Sequence, residues 1–412
     1  MIVPKKILLI PFLFIACALT AQMRTLDYYI QQSVKNSPLI KDYRLQMASN
    51  GIDSQKIKAT FKPQVGLNGQ VYYTPNYNGY GYDNAVTNGG NYQAQVAATQ
   101  ELIIRKSKHV QLQGLDIQNQ YLDNSSKITE LDLTKAVTEQ YIIAYKDFNL
   151  IQSLQEVLDL LNNEEESLKP LVQKGMYAQT DFLNIRMTKE GQSLTLRQTQ
   201  MQYKNDLYSL NVLCGLEDTI FPELAKPSIN LAERVNAANL LLLKQYHIDS
   251  LKFMNKKKTI DLNYQPKLSA FADAGVWTSY IPGIYRNFGA GIGLNFSMPL
   301  YDGKQRKYEY QKIALASQIS HNYEDFYHRQ YQQQILQLQE QLKATDDLIS
   351  ETNKQIQLSK DLIDLYRAEL NQGLVRVTDL ILTLNNYINF KTSLNQANMS
   401  RLQIINQINY FK

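Results

Sequence analysis

The same turn sequence occurs twice in this chain of 412 residues. It is KGMYAQTD at residues 174–181 and QGLVRVTD at residues 372–379, so that Gly175 and Gly373 stand 198 residues apart. Each glycine follows a long helical pattern, where glycine can adopt the left-handed conformation that ends a helix. Each turn alone would be an ordinary connection between helices. Other features recur at nearly the same offset, which indicates a tandem duplication with a helical hairpin in each copy.

The residues after each glycine predict the start of the next helix. Thr180 and Thr378 are expected to offer their hydroxyls to the free amides of the first helical turn. The aspartates that follow, Asp181 and Asp379, favour the positive end of the helix dipole. We therefore expect Thr180, Asp181 and Thr378 to cap the helices at the two tips.

Four segments show the alternation of apolar and polar residues that is typical of β-strands. They are residues 64–73, 92–99, 268–277 and 288–298. The last is the clearest, because its apolar row faces a row of only Gly, Asn and Ser. Strands of about 8 to 13 residues can cross a membrane; a soluble sheet edge is the alternative.

Four strands cannot close a barrel, and open edges are untenable in lipid, so several chains would have to share one. Two copies would give eight strands, a width that side chains fill, whereas three would give about twelve and leave room for water. The sequence therefore predicts a mainly α-helical chain with a small transmembrane β part. In a trimer, the chains would share a 12-stranded β-barrel and a long coiled-coil-like α-helical barrel.

Residues 102–174 and 303–372 predict two long helices, each of about 70 residues or roughly 105 Å. The shorter helices have about 35 residues, so two of them end to end match one long helix. We expect a helical column with the strands at one end and the tips at the other. On the first long helix, Glu164, Glu165 and Glu166 are expected to form a solvated face.

The chain divides into a leader, two repeats and a linker. Residues 1–21 have a basic start, an apolar run and small residues before Gln22, which predicts a cleaved secretory signal. A lipid anchor on Cys17 is the alternative; without Cys17, Cys214 is the only cysteine and no disulfide can form within the chain. The repeats are residues 22–214 and 231–412, joined by a linker at 215–230. Each repeat runs helix, β-hairpin, long helix, tip, helix.

Charge and motifs exclude several functions. The formal charge of +5 falls to +3 without the signal segment, which gives no case for binding nucleic acid. Of the four histidines (His109, His247, His321 and His328), the last two are two helical turns apart, too far to share a metal ion. Since the sequence has no phosphate loop, nucleophile elbow or paired-cysteine motif, we expect neither an enzyme nor a cofactor.

Basic residues recur just after the second strand of each hairpin. They are Arg105, Lys106 and Lys108 in the first copy and Lys304, Arg306 and Lys307 in the second. This basic collar is expected to lie at the lipid headgroups, with ordinary solvated helix starts as the alternative.

The two tips, together with GLNFSMPLYDG at residues 293–303, resemble the TolC family of outer-membrane efflux proteins. The resemblance covers essentially all of the mature chain. It implies a homotrimeric channel through the outer membrane and periplasm of a Gram-negative bacterium. The implied partners are a periplasmic adaptor (membrane fusion) protein, an inner-membrane pump for efflux or type I secretion, and outer-membrane lipid. An exported trimeric scaffold or adhesin without transport activity is the alternative, but it leaves the alternating strands unexplained.

The resemblance also assigns residues. In the family, acidic side chains near the second tip line the closed end of the channel, and Asp379 is the matching position here. One turn later this sequence has Leu382 where the best-studied relatives have a second acid, so Asp379 and Leu382 are the expected periplasmic gate. The turn residues resemble the surface on which the adaptor docks: Gly175, Met176, Gly373, Leu374 and Val375.

Overall fold

The computed structural model describes residues 23–75, 77, 78, 80, 89–231, 241–279, 281–370 and 372–411. The predicted signal segment with Cys17 lies outside the described residues, as do residues 81–88 of the loop after the first strand. The elements are α1 (Leu26–Asn36), α2 (Pro38–Thr60), β1 (Gln64–Thr74), β2 (Gly89–Glu101), α3 (Arg105–Gln173), α4 (Gln179–Cys214), α5 (Leu241–Leu262), β3 (Lys267–Thr278), β4 (Phe288–Ser297), α6 (Gln305–Leu370) and α7 (Val377–Phe411). A short 3-10 helix, Ile281–Arg286, lies between β3 and β4.

These elements belong to two units. The tip unit contains the described residues of 1–37, 133–232 and 337–410, and the sheet unit contains those of 38–132, 233–336 and 411–412. None of the helices in the described ranges combines the length and the hydropathy that a membrane-spanning helix needs.

The sheet unit holds one antiparallel sheet in the order β1-β2-β3-β4. All four strands were predicted from their alternation, and each prediction is confirmed to within a few residues. The register connects the two hairpins, since Tyr92 to Glu101 of β2 pair with Thr278 to Ser269 of β3. The outer edges of the sheet therefore belong to β1 and β4.

The register divides the sheet into an apolar and a polar face, because directly paired residues lie on the same side. One row of the apolar face runs Val65, Ala98, Ala272, Ile292. The side chains of this face are not covered by the chain itself: Val65 is 70% exposed and Ile292 is 90% exposed. The apolar face of the sheet is thus unpartnered within the chain.

In the tip unit, tyrosine side chains fix the predicted linker to the helices. Tyr141 of α3 donates its hydroxyl proton to the carbonyl oxygens of Arg24 at 2.9 Å and Ala225 at 2.6 Å. The Tyr203 hydroxyl of α4 donates to the Pro222 carbonyl at 2.8 Å. Because both rings are buried, residues around 222–225 pack against α3 and α4.

The prediction of a solvated face at residues 164–166 is wrong for two of the three glutamates. Glu164 is buried and forms an ion pair with Arg367 of α6, and Glu165 pairs with Lys189 of α4. Only Glu166 is exposed. The charges that face an acidic run come from other helices, so the sequence of α3 alone could not reveal them.

Candidate functional site

Both predicted turns have the same backbone geometry. Gly175 and Gly373 each have φ of 74° in the left-handed region, as predicted. After α3, the Gly175 amide donates to the Val172 carbonyl at 2.9 Å and the Met176 amide to the Leu171 carbonyl at 3.0 Å. The Gly373 and Leu374 amides make the matching pair of bonds at the end of α6, which is the Schellman arrangement that satisfies the last carbonyls of a helix.

The predicted caps at Thr180 and Thr378 are wrong. Helix α4 begins at Gln179 and α7 begins at Val377, so both threonines already lie inside the first helical turn. In the first tip, the carboxylate of Asp181 accepts the Ala178 amide proton at 3.2 Å. Asp181 is the third residue of the helix, and its carboxylate gives a free backbone amide at the helix start a hydrogen-bond acceptor. This bond is one half of a capping box.

The two tips contact each other within the tip unit. The Tyr177 hydroxyl donates to the Leu370 carbonyl at 3.0 Å and to the Val375 carbonyl at 3.1 Å. The side chain of Met176 lies over Gly373, since a Cβ there would stand 3.3 Å from its methyl carbon. The sequence did not predict the role of Tyr177, because nothing in the first tip indicates which carbonyls of the second tip its ring reaches.

A cluster of buried apolar side chains packs against the paired tips. Its buried members come from the second turn and all four neighbouring helices: Val157, Leu161, Leu168, Leu171, Ile185, Ile363, Leu370, Val375, Val377, Leu380, Leu384 and Ile388. Val375, expected on the docking surface, is buried in this cluster. Met176 and Leu374 remain exposed, at 43% and 72%, and so does Leu382.

Asp379, the expected gate residue, has a cation beside it. The guanidinium of Arg376 donates to its carboxylate at 3.1 Å, and the Arg376 side chain is largely exposed. The Thr383 hydroxyl donates to the backbone carbonyl of Asp379 at 2.9 Å. Since Arg376 stands three residues before Asp379, helical spacing could have indicated this pair.

In the sheet unit, one residue of the basic collar, Arg306, is held by contacts within the chain. Arg306 forms an ion pair with Asp261 of α5, and the Tyr310 hydroxyl donates to the same carboxylate. These hydrogen bonds, led by that of Tyr310, hold the pKa of Asp261 below its usual value, and the charge of Lys106 contributes. The structure thus gives Arg306 an intrachain partner.

Most of the polar side chains of the sheet lie on its second face. Gln93, Gln95, Asp273 and Trp277 line a hollow on this face. The Trp277 indole donates to the Asn91 side chain at 2.6 Å. Within the described part of the chain, no group of three or more His, Cys, Asp or Glu side chains could hold a metal ion.

No protein-family model and no curated protein matches this sequence. The comparison of folds is clear: the chain has the fold of TolC-family outer-membrane channels, as the resemblance predicted. It is similar to the outer membrane protein VceC from Vibrio cholerae, with a TM-score of 0.73 and 12% identity over 94% of this chain and 95% of that one.

Two further solved structures have the same fold. For the CmeC outer membrane channel of Campylobacter jejuni, the TM-score is 0.70 and the identity 14%, over 94% of this chain and 85% of that one. For the open state of the MtrE outer membrane channel of Neisseria gonorrhoeae, they are 0.69 and 12%, over 94% and 88%. At these identities the likeness shows a common fold.

Proposed function

We propose that this chain is the outer-membrane channel of a tripartite efflux or type I secretion system in a Gram-negative bacterium. It conducts solutes received from an inner-membrane pump, and it has no enzymatic activity of its own. The observation that carries the proposal is the sheet: one face is apolar and largely exposed in the single chain, and the opposite face is polar. Such a sheet is suited to separate lipid from water.

The open edges of β1 and β4 support a homotrimer. In lipid, every backbone amide and carbonyl needs a partner, so β1 of one chain would pair with β4 of the next. Three chains of four strands each make a closed barrel wide enough for water. The long helices of the three chains would continue this barrel as a helical one.

The repeats and the leader complete the proposed organisation. Residues 1–21 would direct export and be removed, and residues 22–214 and 231–412 would be tandem repeats joined by the linker at 215–230. The order of helix, two strands, long helix and further helix occurs twice among the elements, which supports the duplication.

The paired tips are the proposed docking surface for the periplasmic adaptor. Exposed apolar side chains on tight turns, here Met176 and Leu374, are the kind of surface that a protein partner covers. Beside them, Leu382 and Asp379 form the proposed gate. Because Arg376 offsets the charge of Asp379, the gate would close mainly through the apolar side chains of three copies of Leu382.

Purified protein in planar lipid bilayers tests the proposal. A channel predicts heat-resistant trimers on gels and discrete conductance steps when the trimers are added to the bilayer. The alternative, an exported scaffold or adhesin, predicts trimers that never conduct. Folded trimers that insert without conductance would overturn the proposed function.

A further inference from the structure

Charged residues are rare in the sheet and are placed unequally. The described strands contain three: Glu101 is the last residue of β2, Lys267 the first of β3, and Asp273 the middle of β3. The register places Glu101 and Lys267 near one end of the sheet, because Glu101 pairs with Ser269. Asp273 is therefore the single charge in the central part of these strands.

The side chain of Asp273 lies beside a glycine of β4. Asp273 pairs directly with Ala97 on one side and Gly291 on the other, so it belongs to the polar face. A Cβ at Gly291 would stand 3.3 Å from one of its carboxylate oxygens. The carboxylate thus lies over Gly291, where any larger residue would crowd it.

The residues around the carboxylate are uncharged. The hollow that it lines is also bordered by Gln93, Gln95, Trp277 and Asn287, none of which is charged. Gln93 donates to Gln95, so these two side chains are held together on the face. A cation near Asp273 would meet carboxylate and amide oxygens, the groups that hard cations prefer.

We propose that Asp273 sets the cation preference of the channel. The inference rests on the proposed function, in which the polar face lines the pore of a trimer. Symmetry then places three copies of Asp273 at one level of the pore. A ring of carboxylates in a pore attracts cations and repels anions, as in other cation-selective pores.

The contrast with the tip strengthens this assignment. At the tip, Asp379 is accompanied by Arg376 at 3.1 Å, so that a ring of three aspartates would carry three arginines with it. The residues that border the hollow around Asp273 bring no such cation. The larger uncompensated charge therefore lies in the sheet.

Reversal potentials across planar bilayers under a salt gradient test the assignment. Wild-type trimers should prefer cations. Asp273→Asn should move the reversal potential towards zero, Asp273→Lys should move it further towards anion preference, and Asp273→Glu should keep the wild-type value. Removing the neutral pair at the tip, in the double variant Arg376→Gln with Asp379→Asn, should cause the smaller shift. Trimer yield on gels is measured for each variant.

The outcomes separate the inference from the proposed function. Channels that conduct with an unchanged reversal potential in Asp273→Asn overturn the role of Asp273, and so does a shift confined to the double variant at Arg376 and Asp379. Because Asn has nearly the shape of Asp, this variant decides the matter even if Asp273→Lys does not assemble. Absence of conductance from wild-type trimers would instead contradict the channel itself.

Discussion

A buried pair of carboxyl groups in the tip unit makes the stability of this chain depend on pH. Asp147 of α3 and Asp206 of α4 are both buried, and each has one carboxylate oxygen without a hydrogen-bond partner. Burial, and then the neighbouring Asp206, raise the pKa of Asp147 to about 6. The ammonium of Lys146, 3.4 Å away, opposes this shift only in part. The Asp147 carboxyl is thus suited to hold a proton up to about pH 6.

Asp147→Asn should therefore be more stable than the wild type at neutral pH. The folded chain holds the proton more tightly than the unfolded chain, so the stabilisation is complete below pH ~4 and is lost as the pH rises to about 6. The amide should remove this loss, roughly 3 kcal/mol, above pH 6. Thermal unfolding from pH 4 to 8 measures it. Parallel curves for the two proteins at every pH would contradict the account.

The Tyr177 hydroxyl should hold the two tips together. Tyr177→Phe removes the bonds to Leu370 and Val375, at a cost of about 1 kcal/mol, and should speed trypsin cleavage after the exposed Arg376. Tyr208→Phe is the matched control, because its half-exposed ring contacts Phe221 by its edge. Equal cleavage rates in both variants would show that the hydroxyl does not restrain the second turn.

At the scale of the elements, the strands and helices could be predicted because their patterns are local. Alternation located all four strands, and helical periodicity located the two long helices. The faces of the sheet followed from the same alternation. The glycines of the turns were predictable too, since only their backbone conformation is required there.

Contacts between elements could not be predicted in the same way. Glu164 is buried against Arg367, about 200 residues further along the chain, and no local pattern indicates that pairing. The buried state of Asp147 has the same origin, because its neighbour Asp206 belongs to another helix. The threonine cap predicted in the first tip was wrong for a different reason: Asp181, at the third helical position, accepts the free backbone amide proton of Ala178 instead.

The basic collar should behave as two groups. Arg306 has an intrachain role with Asp261, so Arg306→Gln should lower the thermal stability of the sheet unit without changing its affinity for lipid. Replacing Arg105, Lys106, Lys108, Lys304 and Lys307 together by Gln should weaken binding to vesicles that contain anionic lipid and lower the membrane-assembled trimer fraction. Unchanged binding and assembly in the five-fold variant would leave these residues as solvated helix starts.

At the scale of the whole molecule, the proposed topology predicts the sidedness of two single cysteines. A cysteine at Asn78, after β1, should react with an impermeant thiol reagent on intact cells, whereas one at Met176 in the first tip should not. The native thiol does not interfere, because burial raises the pKa of Cys214 to about 12 and hides it from the reagent. Labelling of the cysteine at Met176 with none at Asn78 would contradict the proposed orientation.

The central claim is that one face of the sheet lines a water-filled pore and the other contacts lipid. Asn295 and Leu294 are neighbours in β4 on opposite faces, and both are exposed in the single chain. A charged, water-soluble thiol reagent added to open channels should lower the conductance of Asn295→Cys and leave that of Leu294→Cys unchanged. A conductance drop in Leu294→Cys alone, or in neither variant, would contradict this arrangement of the sheet.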